Sequence, residues 1–132
     1  MLELLLDTDT CIHVIRDRRT ALGPRFQSHI DKLCISTIVE YELRFGAENS
    51  GRPDYHHEKV GHFVTRLQVL DFDEGAARHA ASIKADLQRR GQLIGPNDLQ
   101  IAGHARSRGL KLITGNLREF TRVEGLRCED WL

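Results

Sequence analysis

Short apolar runs alternate with longer amphipathic stretches along almost the whole chain, and this alternation limits the folds open to it. Brief apolar runs predict buried strands, and apolar residues spaced three or four apart predict helices. The predicted strands are residues 3–7, 33–36, 68–72, 111–114 and 126–128. The predicted helices are residues 11–17, 21–31, 37–49, 55–67, 74–90 and 96–107. Because parallel strands need crossovers that helices supply, we expect an α/β sandwich with a short, mostly parallel sheet flanked by helices.

Length and composition favour one domain spanning residues 1–132. A chain of 132 residues with 40% hydrophobic content can bury one core but is short for two. No basic segment precedes the apolar start and no apolar run could cross a membrane, so we expect a cytoplasmic protein. Cys11, Cys34 and Cys128 are odd in number and lie beside apolar residues, which favours free thiols. The net charge of zero means that any site for a polyanion must be local.

Acidic residues stand at the edges of the apolar runs. Asp7 directly ends the first predicted strand, where it either faces a crevice or caps the following helix. Asp98 follows Gly95-Pro96 in the first turn of a predicted helix. The helix dipole would favour an acid there, but the apolar residues at helical spacing from Asp98 indicate that its side chain points inward. Those residues are Ile101, Ala102 and Ala105.

Glu40 and Glu42 compete to supply a third acid. Thr37 and Glu40 match a capping box, which gives Glu40 a local explanation. Glu42 has no such explanation and shares a stripe with apolar residues, so we expect it on the inward side of the helix, paired or bound to a cation. The residues of that stripe are Ile38, Val39 and Phe45.

Residues near the ends of the first and fourth strands provide further oxygen atoms. Thr8 and Asp9 begin the first helix, and Asp9 is interpreted either as a cap or as a metal ligand. Thr114 and Asn116 flank Gly115, which permits close backbone approach, and their neutral oxygens suit contacts to a metal-binding carboxylate or to substrate. Glu119 either adds a carboxylate or forms a surface ion pair with Arg118 or Arg122.

Carboxylates gathered in one place need positive charge. Two of them in close contact repel by about 4 kcal/mol at an effective dielectric near 20, so we predict a bound cation. Oxygen ligands select hard cations such as Mg²⁺, and phosphodiester hydrolysis is the reaction that such a site suits. His56, His57 and His62 lie close in sequence but have no cysteine nearby, so a solvated helix face explains them better than a zinc site.

The order of these motifs resembles the VapC-type toxins of the PIN-domain ribonucleases. The resemblance rests on Leu-Leu-Asp7-Thr8-Asp9, Glu42 with Gly46-Ala47-Glu48, Gly95-Pro96-Asn97-Asp98 and Thr114-Gly115-Asn116. It implies a PIN-like three-layer sandwich and Mg²⁺- or Mn²⁺-dependent endonucleolytic cleavage of RNA. In this resemblance Asp7, Glu42 and Asp98 match the acidic positions of the family. The segments 116–120 and 129–131 are also similar to members that cut transfer RNA in the anticodon region.

The resemblance also implies partners. It predicts a VapB-like antitoxin that blocks the site, a homodimer or a toxin–antitoxin hetero-oligomer, and contact with operator DNA only through the antitoxin. Two positions depart from the family pattern, since Asp9 stands where many relatives have Asn and Asn116 stands where many PIN domains have an acid. The neutral Asn116 weakens the case for a second metal and leaves Glu119 as a substitute.

Two other function classes remain open on sequence alone. Asp7-Thr8-Asp9 after a strand also resembles the haloacid-dehalogenase phosphatases, in which Asp7 would be the nucleophile and Asp9 the acid and base. A non-catalytic module that binds RNA or an antitoxin would keep the same fold without turnover.

Overall fold

Five short strands form one parallel sheet. The computed structural model describes residues 1–16 and 22–132. The strands are β1 (Leu4–Leu6), β2 (Leu33–Ser36), β3 (Gln68–Leu70), β4 (Lys111–Ile113) and β5 (Cys128–Glu129). Their order is β3-β2-β1-β4-β5, and each pairing is parallel. The predicted α/β class is therefore confirmed, with a sheet that is parallel throughout rather than mostly parallel.

The helices lie between the strands, as crossover connections require. They are α1 (Thr8–Arg16), α2 (Leu22–Ser28), α3 (Thr37–Glu48), α4 (Pro53–Val64), α5 (Glu74–Arg89), α6 (Pro96–Ser107) and α7 (Leu117–Phe120). Helix α1 begins at Thr8 rather than at residue 11, and the sequence did not predict α7. The predicted helix ends at Asp17 and Ala21 lie outside the described residues. No helix within residues 1–16 and 22–132 is long and apolar enough to span a membrane.

The centre of the sheet is the centre of the core. Leu5 and Leu6 of β1 and Leu112 and Ile113 of β4 are completely buried, as continuous apolar runs in a doubly covered sheet should be. Helix α5 packs closely on α6 at Gly103. A Cβ atom at that position would lie only 2.5 Å from the backbone nitrogen of Ala80, so glycine is what allows the two helices to come this close.

The buried face of α5 differs in part from the predicted one. Prediction placed Ala77 and Ala81 with Ile83 and Leu87, but Ala77 and Ala81 are exposed. Counting back from Ile83 in helical steps of three or four residues leads to Ala80 and Ala76 rather than to Ala81 and Ala77. The buried residues of α5 are Ala76, Ala80, Ile83 and Leu87.

The start of α3 also differs from the predicted capping box. Ser36 is the N-cap, and its Oγ accepts a hydrogen bond of 3.1 Å from the backbone N–H of Ile38. Thr37 lies inside the helix, so Glu40 is one position too late to reach back to the cap, and it pairs instead with Arg44 at 3.5 Å. Phe45 is 61% exposed, so the predicted apolar stripe beside Glu42 was wrong at that residue.

All three cysteines are free thiols, as predicted. Cys11 and Cys34 are buried, and Cys128 is half-buried. The thiols therefore fill space in and beside the core rather than cross-linking it.

Candidate active site

The carboxyl ends of β1 and β4 meet where the strand order reverses. From β1 the chain proceeds to β2 on one side, whereas β4 lies on the other side of β1. The backbone N–H of Asp7 donates to the carbonyl of Ile113 at 2.9 Å, which places Asp7 beside Thr114. In open parallel sheets this reversal creates a crevice outside the strand ends, where ligands bind.

Asp7 lies at this crevice and is only 5% exposed. Its Oδ1 accepts from the N–H of Thr8 at 2.7 Å, and its Oδ2 accepts from Thr114 Oγ1 at 2.7 Å. Its backbone carbonyl accepts from the N–H of Cys11 at 3.1 Å, so Asp7 also stands at the cap position of α1. The backbone therefore agrees with the interpretation of Asp7 as a helix cap, and a role of its carboxylate in a ligand site stays a prediction. Burial is the main cause that raises the pKa of Asp7 to about 7, and the negative charges of Asp9 and Asp98 add to it.

Asp98 approaches the same place from the first turn of α6. Its pKa is raised to about 6, mainly by burial and then by the charges of Glu42, Glu119 and Asp9. The residues at helical spacing from Asp98 are completely buried, which agrees with the predicted inward orientation of its side chain. They are Ile101, Ala102 and Ala105. Three acids from three other helices thus act on the carboxyl group of Asp98.

Glu42 of α3 is held by neutral donors on both oxygens. Thr8 Oγ1 donates to Glu42 Oε1 at 2.5 Å, and Asn97 Nδ2 donates to Glu42 Oε2 at 3.1 Å. The sequence prediction gave Asn97 no role. Its position beside Asp98, after the Gly95-Pro96 helix start, was the signal that could have identified it.

Asp9 lies inside the first turn of α1 and does not cap it. Helix α1 begins at Thr8, and the Oδ1 of Asp9 accepts from the adjacent N–H of Thr10 at 2.8 Å rather than from an N–H two or three residues later. The predicted cap role of Asp9 was therefore wrong. Its other oxygen faces Gly115, where an added Cβ atom would lie 2.9 Å from Oδ2. Glycine at position 115 is what allows this close approach.

Asn116 and Glu119 are hydrogen-bonded to each other beside the crevice. The N–H of Asn116 donates to Thr114 Oγ1 at 3.0 Å, and Asn116 Nδ2 donates to Glu119 Oε2 at 3.1 Å. Among the described residues Glu119 forms no ion pair with Arg118 or Arg122, so the surface ion-pair alternative is not what the structure shows.

The acids of the crevice lack a positively charged partner in residues 1–16 and 22–132. The ion pairs found there involve other carboxylates, such as Glu40 with Arg44 and Asp86 with Arg90. The acid set is Asp7, Asp9, Glu42, Asp98 and Glu119. Buried acids without a cation are costly, which is why the pKa values of Asp7 and Asp98 rise.

The donor set fits a hard cation, although it does not enclose one. In the described part of the chain no three His, Cys, Asp or Glu side chains lie close enough to hold one metal ion together. Mg²⁺ typically takes one or two carboxylates, keeps several waters and binds substrate phosphate, so an open set of carboxylates suits it better than a closed cage would. In the group of His56, His57 and His62, the Nε2 of His57 pairs with Glu48 Oε1 at 2.9 Å.

Comparison with known proteins identifies the class. Residues 4–126 match the family described as PIN domain, and the chain therefore belongs to the PIN-domain family. This membership excludes the haloacid-dehalogenase interpretation of Asp7-Thr8-Asp9.

Within that family the similarity is to VapC ribonucleases. The chain is 47% identical over 131 residues to the tRNA(fMet)-specific endonuclease VapC of Shigella flexneri, covering 99% of both chains. It is 45% identical over 132 residues to Ribonuclease VapC2 of Haemophilus influenzae, covering all of both. Its fold superimposes with a TM-score of 0.96, at 47% identity and full coverage of both chains, on a chain in the crystal structure of DNA-bound VapBC from Salmonella typhimurium. The predicted resemblance to VapC-type members is confirmed.

Proposed function

We propose that this chain is a divalent-metal-dependent endoribonuclease and the toxin of a toxin–antitoxin pair. The observation that supports the proposal is that the charge of Glu42 raises the pKa of Asp98 and the charge of Asp98 raises the pKa of Asp7, with no basic partner for these acids among the described residues. Full-length similarity to VapC ribonucleases supports the reaction class. The metal and the roles of the individual residues belong to this proposal.

Asp7, Asp98 and Glu42 would hold Mg²⁺ or Mn²⁺, in part through the waters that such an ion keeps. A divalent cation at this site supplies Lewis-acid polarisation of the phosphate and a lowered pKa for the attacking water. Thr114 and Thr8 orient the carboxylates of Asp7 and Glu42 through their hydroxyl groups. Such partners fix ligand orientation, and changing them typically costs 10–100-fold in metal affinity.

The flanking acids and amides have separate tasks in this proposal. Asp9 and Glu119 add negative charge that strengthens the attraction for the cation, since both raise the pKa of Asp98. Asn116 holds Glu119 through its side chain and Thr114 through its backbone. Asn116 and Glu119 are therefore placed to contact substrate or to orient the carboxylates, rather than to form a second complete metal site.

The proposed substrate is transfer RNA, with cleavage in the anticodon region. A relative that shares 47% identity over nearly the whole chain is named a tRNA(fMet)-specific endonuclease, so initiator transfer RNA is the first substrate to test. A cytoplasmic location follows from this substrate. With a net charge of zero the protein has no general attraction for RNA, so binding must come from local contacts.

The proposed partner is a VapB-like antitoxin, which alone would contact operator DNA. A groove of about 680 Å³ lies between α1, α2 and α4 and is lined mainly by apolar and basic side chains, with one acid, Glu58. A smaller cavity of about 120 Å³ shares Ile15 and Lys59 with it and includes Glu42. An antitoxin segment in the groove would therefore lead to the acids and block them. We propose a homodimer or a toxin–antitoxin hetero-oligomer as the assembled form.

Cleavage of transfer RNA with and without metal tests the function. Purified protein free of antitoxin should cut initiator transfer RNA at one recurrent position with Mg²⁺ or Mn²⁺, and EDTA should stop it. Asp7→Asn should abolish cleavage, whereas Glu40→Gln, an acid of α3 that pairs with Arg44 away from the crevice, should not. Intact RNA at saturating protein and metal would favour the non-catalytic binding module.

A further inference from the structure

His104 of α6 is a buried polar residue outside the proposed acid set. Its side chain is completely buried, and its Nδ1 lies 2.8 Å from Ser36 Oγ. Among the described residues its Nε2 has no hydrogen-bond partner. An imidazole is costly to bury with an unpaired nitrogen, and an apolar side chain would fill the same space without that cost.

The bond to Ser36 links the two helices that carry Glu42 and Asp98. Ser36 caps α3, on which Glu42 lies six residues later, and His104 lies six residues after Asp98 on α6. A second link joins the same helices at the crevice, where Asn97 Nδ2 donates to Glu42 Oε2. Ser36 pairs with His104 and Glu42 pairs with Asn97, so the two helices run antiparallel here. At 1.5 Å per residue the two links are about 9 Å apart along α3 and about 10–11 Å apart along α6.

The direction of the hydrogen bond between Ser36 and His104 depends on which ring nitrogen carries the proton. Ser36 Oγ already accepts from the N–H of Ile38. When its hydroxyl donates to His104 Nδ1, the Ser36 hydroxyl and Nδ1 are both satisfied, and the neutral imidazole carries its proton on the unpaired Nε2. Burial lowers the pKa of His104 and so favours this neutral form. The start of α3 is held further by Phe72, whose N–H donates to Thr37 Oγ1 at 3.1 Å and whose ring stands perpendicular to the imidazole.

We propose that His104 is a positioning residue, which sets the register of α3 against α6 through Ser36 and thereby the separation of Glu42 from Asp98. The inference rests on the proposed function, because it is the affinity for the metal that would depend on the separation of Glu42 from Asp98. A link made by two small polar groups fixes a register more narrowly than apolar contacts, which allow sliding.

Metal binding by the purified, metal-free protein tests the proposal. By calorimetric titration with Mn²⁺, His104→Leu should bind about tenfold more weakly than the unchanged chain, the lower end of the range for partners of metal ligands. His104→Asn, which can place a polar atom near the Nδ1 position, should recover most of the affinity. Ile83→Val, a buried change on α5, is the control for lost stability alone and should bind normally.

Hydrogen exchange supplies a readout that needs no metal. The N–H of Ile38 should exchange faster in His104→Leu, because Ser36 Oγ is then no longer held in place, and it should not change in Ile83→Val. Ser36→Ala should reproduce the loss of Mn²⁺ affinity if His104→Leu fails to fold. The proposal is overturned if His104→Leu or Ser36→Ala binds Mn²⁺ as tightly as Ile83→Val does. An unchanged chain that binds no Mn²⁺ would instead remove the proposed function, and the positioning role with it.

Discussion

Replacing Asp7 by asparagine should stabilise the metal-free protein, and the gain should depend on pH. The folded-state pKa of Asp7 is about 7, against an ordinary value of 3.8 for an aspartate side chain. Since the folded state holds this proton and the unfolded state releases it, folding binds protons between these values, and stability falls as the pH rises through this window. At 1.36 kcal/mol per pKa unit, the cost of Asp7 is about 2 kcal/mol at pH 5 and about 4 kcal/mol at pH 8.

Asparagine removes this cost and introduces a smaller one. It keeps an acceptor for the N–H of Thr8 but places an amide where Oδ2 accepts from Thr114 Oγ1, a change of about 1–2 kcal/mol. The net gain should be about 2–3 kcal/mol at pH 8 and close to zero at pH 5. For a domain of this size we expect Tm to rise by roughly 10 °C at pH 8.

Scanning calorimetry in EDTA at both pH values measures the effect. Glu40→Gln is the matched control, because it removes one negative charge from α3 outside the crevice. A Tm that falls in Asp7→Asn at pH 8, or a gain of equal size at pH 5 and pH 8, would refute the reasoning that burial and neighbouring charges destabilise this carboxylate.

Other predictions follow from the same contacts. Adding Mn²⁺ should raise the Tm of the unchanged chain by several degrees but leave Asp7→Asn nearly unaffected, since ligand binding stabilises only a state that binds it; equal shifts by calorimetry would contradict this. Glu42→Gln should still fold, because the Thr8 hydroxyl can accept from the new amide N–H while the amide oxygen accepts from Asn97, yet it should lose at least about 100-fold in RNA cleavage rate; near-native turnover would remove Glu42 from the site. Gly115→Ala should destabilise by about 1–3 kcal/mol through its contact with Asp9 Oδ2, and an unchanged denaturation midpoint in urea would show that Asp9 moves freely. Asn97→Ala should weaken cleavage by about tenfold by freeing Glu42, and kinetic assays that find no change would exclude this role for Asn97.

The strands could be predicted because they are short, continuous apolar runs, and the long helices could be predicted because each has enough residues to show a 3.6-residue period. Helix α6 was predicted at its observed bounds, with Pro96 at its start and Gly109 after its end. Helix α7 was missed because four residues are too few to establish a 3.6-residue period. The cap of α3 was displaced by one residue because Ser36 and Thr37 are both good caps, and only the pairing of β2 decides which one remains extended. The single domain over residues 1–132, the homodimer and the roles of the site residues stay predictions.

The sequence by itself determined that the chain is a parallel α/β protein, because the patterns that predict strands and helices are local. It also determined that acids follow the apolar runs and need positive charge, because the repulsion of like charges is additive. Only the tertiary structure decided which neutral groups hold those acids. Asn97 meets Glu42 and His104 meets Ser36 across gaps of 55 and 68 residues. Such pairings depend on how α3 and α6 dock at the sheet, and helix docking is set by the packing of the whole core rather than by any local pattern of residues.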